Sequence, residues 1–174
     1  MGSGTNFSAE LRVRPCRAAD LEAVRGIYAH YVLNSTATFE EVPPALGYWE
    51  QRLTEIDRLG LPFRVGEIDD RVIGYSFCSR WRPRPGYRFT GEDSVYLAPD
   101  ALGRGFGRRL LADVLAGSRE AGIREIVAVI ASGGTDASLR LHRRLGFRDV
   151  GTLTRVGFKF GGWLDTHLLQ LSFE

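Results

Sequence analysis

The stretch Glu92-Asp93-Ser94-Val95-Tyr96-Leu97-Ala98-Pro99-Asp100-Ala101-Leu102-Gly103-Arg104-Gly105-Phe106-Gly107-Arg108-Arg109 decides how this chain folds and what it can hold. A carboxylate opens a short β-run, a glycine-rich turn follows, and an amphipathic helix begins. A strand that passes through Gly-x-Gly-x-Gly into a helix offers bare backbone N–H groups to an anion. The segment therefore reads as a phosphate cradle with a candidate general base one strand-length away. That combination points to an enzyme using a phosphate-bearing cofactor.

Working outward, residues 93–98 form the strand. Residues 104–121 form a helix whose stripe is Phe106, Leu110, Leu111, Val114 and Leu115, stopped by Gly122. Residues 125–130 are a fully apolar strand, residues 135–145 a short helix closed by Gly146, and residues 147–156 and 164–173 the last strands. Toward the N-terminus, residues 11–14 alternate as a short strand. From Asp20, Leu21, Val24, Ile27, Tyr28 and Tyr31 recur at helical spacing. Pro43-Pro44 suits the first turn of a second helix, with Leu46, Trp49, Leu53 and Ile56 on its apolar face. Residues 62–68 and 71–79 are strands joined by the hairpin signal Asp69-Asp70, and residues 81–91 form a loop rich in proline, arginine and aromatics. The order β-α-α-β-β-β-α-β-α-β-β, without repeat or linker, describes one mixed α/β domain.

The composition narrows the classes. The 174 residues suit a single domain with a real core. With 23 basic against 21 acidic residues the formal charge is only +2, and the arginines are interleaved with acids, so no nucleic-acid surface is expected. Cys16 and Cys78 sit in apolar, strand-like contexts and read as reduced core thiols. They have no metal-ligand spacing with the three histidines, so no metal is expected. No apolar run approaches a membrane span. Residues 1–10 are small and polar, lacking the basic-then-apolar pattern of a secretion signal. They read as a disordered lead before a domain at residues 11–174, and the protein is expected in the cytoplasm.

Three ligand readings compete for the glycine turn. A dinucleotide fold needs Gly-x-Gly-x-x-Gly early in a βαβ unit, and a nucleotide phosphate loop ends in Gly-Lys-Ser/Thr. Here the spacing is Gly-x-Gly-x-Gly in mid-chain, and Arg108 follows Gly107. A third reading, a pyrophosphate held by turn amides with Arg104 and Arg108 adding charge, suits coenzyme A. A tight turn of purely structural purpose is the alternative.

The flanking segments carry a resemblance. Gly103-Arg104-Gly105-Phe106-Gly107-Arg108-Arg109-Leu110-Leu111 resembles the acetyl-CoA motif of the GNAT superfamily of N-acetyltransferases. Ser138-Leu139-Arg140-Leu141-His142-Arg143-Arg144-Leu145-Gly146-Phe147 resembles its next motif. His30-Tyr31-Val32, Ser35-Thr36-Ala37-Thr38-Phe39, Trp81-Arg82, Tyr87-Arg88-x-Thr90-x-Glu92-x-Ser94-Val95-Tyr96 and Gly157-Phe158-Lys159-Phe160-Gly161-Gly162-Trp163-Leu164-Asp165 are similar to the phosphinothricin/methionine-sulfone acetyltransferase branch. The likeness runs from about residue 11 to 173. It implies a single-domain, mixed, mostly antiparallel sheet, splayed at the cofactor strand and flanked by helices, and a homodimer.

The resemblance also implies roles. Val95, Tyr96 and Leu97 would line the pantetheine arm of acetyl-CoA, and Leu102, Gly103, Arg104, Gly105, Phe106, Gly107 and Arg108 its pyrophosphate. Thr135, standing where the family commonly has Asn, and Ser138 would complete the cofactor site. Leu102 departs from the usual Gln or Arg. Glu92 is the candidate base that removes the ammonium proton before the amine attacks, and His142 belongs to a proton relay or the thiolate side. A backbone amide of Val95 or Leu97 would face the oxyanion. Arg82, Arg84 and Arg88 with Trp81, Pro83, Tyr87, Asp93, Ser94, Phe39, Lys159 and Trp163 would receive the acceptor, since guanidinium forks suit carboxylate, phosphinate or sulfone oxygens. Asp93 replaces a neutral or imidazole side chain and Gly91 a β-branched one. The expected reaction is acetylation of the amino group of phosphinothricin, methionine sulfone or methionine sulfoximine type substrates. The rivals are a protein N-terminus, lysine or polyamine acetyltransferase, and a non-catalytic acyl-CoA-binding regulatory module.

Overall fold

Alternation of apolar side chains along the strands and a 3.6-residue stripe on the helices leave each element one face to bury. The computed structural model, which describes residues 10–133 and 136–174, arranges the elements around one seven-stranded sheet that buries most of these faces. The strands are β1 (Arg12–Pro15), β2 (Phe63–Ile68), β3 (Arg71–Arg80), β4 (Thr90–Leu97), β5 (Glu125–Ala131), β6 (Arg148–Lys159) and β7 (Gly162–Ser172). Their spatial order is β1-β2-β3-β4-β5-β7-β6. Every neighbouring pair is antiparallel except β4 with β5. The expected mixed, mostly antiparallel sheet is what the chain forms.

Helices α1 (Leu21–Asn34) and α2 (Leu46–Arg58) cover one face, burying Leu21, Val24, Ile27, Trp49 and Ile56 against Phe63, Val65, Ile73, Tyr75 and Phe77. On the other face, α3 (Phe106–Glu120) and α4 (Ala137–Arg144) pack against Cys78, Ile126, Ala128, Phe147 and Leu169. Both cysteines are free thiols, and burial pushes the Cys78 pKa up to about 12. Arg14 ties β1 to its surroundings, donating to Asp20 at 2.7 Å and to Glu67 at 2.6 Å.

Several boundaries differ from the sequence expectation. Asp69 and Asp70 both adopt positive φ (49° and 59°), the turn that a tight β2–β3 hairpin requires. Phe160 and Gly161 do the same (50° and 76°), closing a second hairpin that the sequence reading left as a wider gap between its last two strands. Pro43 and Pro44 precede α2 instead of starting it, with Ala45 extended at its N-cap. Most consequential for function, β4 begins at Thr90 rather than Asp93, because Gly91 pairs with both Arg80 and Ile126. Glu92 therefore lies within the strand, not ahead of it.

Candidate active site

The two central strands start together and then part. β4 and β5 pair only at Thr90–Glu125, Gly91–Ile126 and Glu92–Val127. Beyond Glu92, β4 stays paired to β3 as far as Leu97, and β5 to β7 as far as Ala131, leaving an open wedge between them. The N–H of Ala98 donates to Ile73 of β3 and the carbonyl of Thr90 accepts from Trp81. Strand alternation then turns the backbone groups of Asp93, Val95 and Leu97 toward the wedge. The Tyr31 hydroxyl caps one of them, donating to the Leu97 carbonyl at 2.7 Å.

At the end of β4 the chain turns through Gly103 and Gly105, with φ of 74° and 78°. These left-handed positions suit glycine, and the space where a Cβ would stand is open at both. Gly105 leads directly into the N-terminus of α3, whose first N–H groups face outward beside exposed Arg104 and Arg108. The Arg104 guanidinium lies 4.8 Å from the Phe106 ring centre. Arg109 points away and donates to the Leu11 carbonyl.

Along β4 the side chains divide. Glu92, Ser94 and Tyr96 pair with Ser79, Phe77 and Tyr75 and share the α1–α2 face. There Tyr96 packs with Tyr28, Tyr31 and Tyr75 at centroid distances of 5.2–5.5 Å. The Glu92 carboxylate has no hydrogen-bonding partner among the described residues. Burial and then the charge of Asp93 raise its pKa, with Arg52 and Arg82 pulling the other way.

Asp93 points to the opposite face. Its Oδ2 lies 2.9 Å from His142 Nε2, with the two side chains only 1% and 3% exposed. Nδ1 of His142 lies 2.7 Å from the Ser138 carbonyl, and the ring meets Phe147 edge-on at 4.9 Å. Burial opposes the charged imidazole, but the Asp93 hydrogen bond, its charge and the Ser138 carbonyl outweigh it and raise the pKa. An imidazolium donating from both nitrogens fits this geometry. Asp93 Oδ1 is buried without a partner among the described residues.

A strand-to-glycine-turn-to-helix unit beside a wedge-shaped break in the sheet, with a desolvated carboxylate at its apex, is the arrangement that the sequence resemblance implied. Comparison with known proteins agrees. Residues 13–168 match the acetyltransferase (GNAT) domain. The chain belongs to the GNAT acetyltransferase family. It is 47% identical over 158 residues to a phosphinothricin N-acetyltransferase from Alcaligenes faecalis, covering 91% of this chain and 80% of that one. It is 39% identical over 163 residues to an L-methionine sulfoximine/L-methionine sulfone acetyltransferase from Pseudomonas aeruginosa, covering 93% and 94%. A GNAT phosphinothricin acetyltransferase from Sinorhizobium meliloti, solved in complex with acetyl-CoA, superposes with a TM-score of 0.90 at 40% identity, covering 94% of this chain and 88% of that one.

For a GNAT enzyme the wedge and turn fit acetyl-CoA well. Unpaired β4 backbone suits an amide-bearing arm, and left-handed glycines at a helix N-terminus with two arginines suit a pyrophosphate. Leu102 is half-exposed beside this turn, Ser138 offers its carbonyl to His142, and Thr135 lies outside the described residues. The acceptor side is more mixed. Arg82 lies over Trp81 at 4.8 Å and stays close enough to bear on Glu92. Arg88 instead stacks on Phe89 and donates to the Pro85 carbonyl, while Pro83, Arg84 and Tyr87 are exposed.

Three expected acceptor residues are otherwise engaged. Asp93 is sealed against His142 on the cofactor-side face because adjacent strand residues point oppositely. Lys159 is buried and gives its ammonium to the Ser35 and Thr38 carbonyls, both at 2.8 Å, fixing the connection after α1; burial lowers its pKa. Trp163 lies out on β7, edge-on to Phe158 with Arg155 over it. Phe39 stays near that connection, its ring over Gly157 where a Cβ would come within 2.3 Å. Arg52, on α2, was missed. Its only sequence signal is an arginine next to the apolar stripe of an amphipathic helix.

Proposed function

We propose that this GNAT enzyme moves the acetyl group of acetyl-CoA to the α-amino group of a small amino-acid-like substrate, with methionine sulfone, methionine sulfoximine and phosphinothricin the first candidates. The observation that carries the reading is Glu92: half-buried, without a hydrogen-bonding partner among the described residues and with a raised pKa, it is a carboxylate ready to accept a proton. When bound, acetyl-CoA supplies an activated thioester acetyl.

Glu92 takes the proton from the acceptor's ammonium, directly or through one water, leaving a lone pair to attack. The N–H groups of Val95 and Leu97, turned toward the wedge, are the donors for developing negative charge on oxygen. Gly103, Arg104, Gly105, Phe106, Gly107 and Arg108 hold the pyrophosphate, with Tyr96, Leu102 and Ser138 beside the arm. His142, kept charged by Asp93, stands on the thiolate side. Arg82, Arg84, Trp81, Tyr87 and Ser94 frame the acceptor, whose oxygens suit a guanidinium-rich mouth; a polyamine would favour acids there.

The enzyme acts as a homodimer in the cytoplasm. The β6–β7 hairpin supports the first part, since its exposed Leu153, Val156, Phe158, Phe160 and Trp163 form an apolar surface that a second copy would cover. Free-thiol release with acetyl-CoA and a panel of amines tests the reading. Saturable turnover of a sulfone or phosphinate amino acid is expected. Turnover confined to peptides or polyamines, or CoA binding with no turnover on any amine, would overturn it in favour of the two rival classes.

A further inference from the structure

Arg52 is an unusual cation in this molecule. It is half-buried, yet its guanidinium joins none of the ion pairs found among the described residues. Aromatic side chains hold it instead: it lies 5.2 Å from the Tyr48 ring centre and 5.6 Å from that of Phe77, and it donates to the Tyr48 hydroxyl. Stacking of this kind fixes the plane of a guanidinium while leaving its remaining N–H groups available.

Its position matters as much as its freedom. Phe77 pairs with Ser94, and Ser79 with Glu92, so Phe77, Ser94 and Glu92 project from the same face of adjacent strands. Arg52 reaches that face from α2. The positive charge of Arg52 bears on Glu92, yet among the described residues the two do not meet as an ion pair. A carboxylate and a guanidinium unpaired among the described residues, near each other but not in contact, are the electrostatic complement of a zwitterion. An α-amino acid has its ammonium and carboxylate separated by one carbon, and it would fit with the ammonium on Glu92 and the carboxylate on the guanidinium fork.

We infer that Arg52 binds the α-carboxylate of the acceptor, so that Glu92 and Arg52 together select free α-amino acids over amines lacking an adjacent carboxylate. This rests on the amino-acid-acceptor reading above and adds to it a residue outside the arginine-rich loop. Arg82, exposed and stacked on Trp81, is then left to meet the oxygens at the far end of the side chain. A guanidinium that served only to tune Glu92 would affect every amine alike. One that binds the carboxylate affects only acceptors that carry it.

Calorimetric titration of the full chain saturated with CoA separates these cases, using methionine sulfone and its carboxamide as ligands. Arg52→Gln is expected to weaken sulfone binding by about 10- to 100-fold, as loss of a charge-assisted fork does, while leaving the carboxamide within about twofold. Arg52→Lys, which keeps charge but not the fork, should fall between. An unchanged CoA affinity in both variants establishes that they fold. Equal losses for the two ligands, no loss for the sulfone, or a wild type that binds no sulfone would overturn the inference. Wild-type binding that depends on Arg52 without any thiol release would instead sink the acetyl-transfer reading and leave the anchor standing.

Discussion

Glu92 and Asp93 are neighbouring carboxylates on one strand, and the pleat sends them to opposite sides of the sheet. On the α1–α2 face Glu92 lies near, but apart from, the stacked guanidinium of Arg52, with no hydrogen-bonding partner among the described residues. On the α3–α4 face Asp93 is closed in with His142, which the Ser138 carbonyl holds from its other nitrogen. Two identical functional groups thus acquire different work from their surroundings alone. The free one can exchange a proton with a substrate; the sealed one fixes a charge and, through it, raises the proton affinity of its neighbour.

Substitutions at the pair and around it bear on this division, the most damaging first. Glu92→Gln should lower kcat/KM by about 10²–10⁴ while the protein still folds and binds CoA, since a general base supplies about that much. A loss below tenfold would place the reacting carboxylate elsewhere. His142→Leu should cost about 3–5 kcal/mol in urea unfolding, because it strands a buried Asp93 charge. That deficit is itself pH-dependent. The folded-state pKa of His142 lies above its unfolded value of 6.5, so the pair's stabilisation is complete below that pH and is lost as pH rises through the folded value. Above pH 6.5, a deficit that grows with rising pH would contradict a charged His142.

Gly91→Val probes the same strand one step earlier. A Cβ there would come within 2.4 Å of Cys78 Sγ and 3.2 Å of Ile126 Cδ1, so about 1–3 kcal/mol of stability should be lost to overpacking. Adding Cys78→Ala should restore part of it; no recovery would mean that the crowding lies elsewhere. The smallest expected effect on activity belongs to Asp93→Asn, although it too breaks the buried pair with His142 and so costs stability. Removing the negative neighbour should move the acid limb of kcat/KM to lower pH, because Asp93 is one of the influences that raise the Glu92 pKa. A limb that stays in place would show the two faces of β4 to be electrostatically independent.

Much of this arrangement can be read in the chain. The order of elements follows from local patterns: the stripe ending at Leu115, the apolar run at residues 126–131 and the Gly-x-Gly-x-Gly turn each declare themselves within a few residues. Glu92 is legible because a charged residue interrupts a β-run just ahead of that turn. The partnership of Asp93 with His142 is not, since the two are 49 positions apart and meet only when α4 packs on β4. The places of Lys159 and Trp163 are not legible for a related reason: packing within the chain gives the Lys159 ammonium to backbone carbonyls and sets Trp163 on the outer hairpin, and neither follows from its local segment. Gly91 looked like the end of a loop and is an interior strand residue, required by the sulfur beside it. Arg52 carries no local mark, because an arginine beside a helical stripe looks like any solvated surface residue.

The pH dependence of kcat/KM for methionine sulfone, measured in the wild type and in Glu92→Gln at saturating acetyl-CoA, tests the role of Glu92 most directly. A base with a raised pKa must lose its proton to work, so wild-type activity should fall as pH drops through a value above the ordinary carboxylate 4.5. In Glu92→Gln that limb should vanish, leaving a low residual rate without it. The same acid limb persisting at the same pH in the variant would contradict Glu92 as the base.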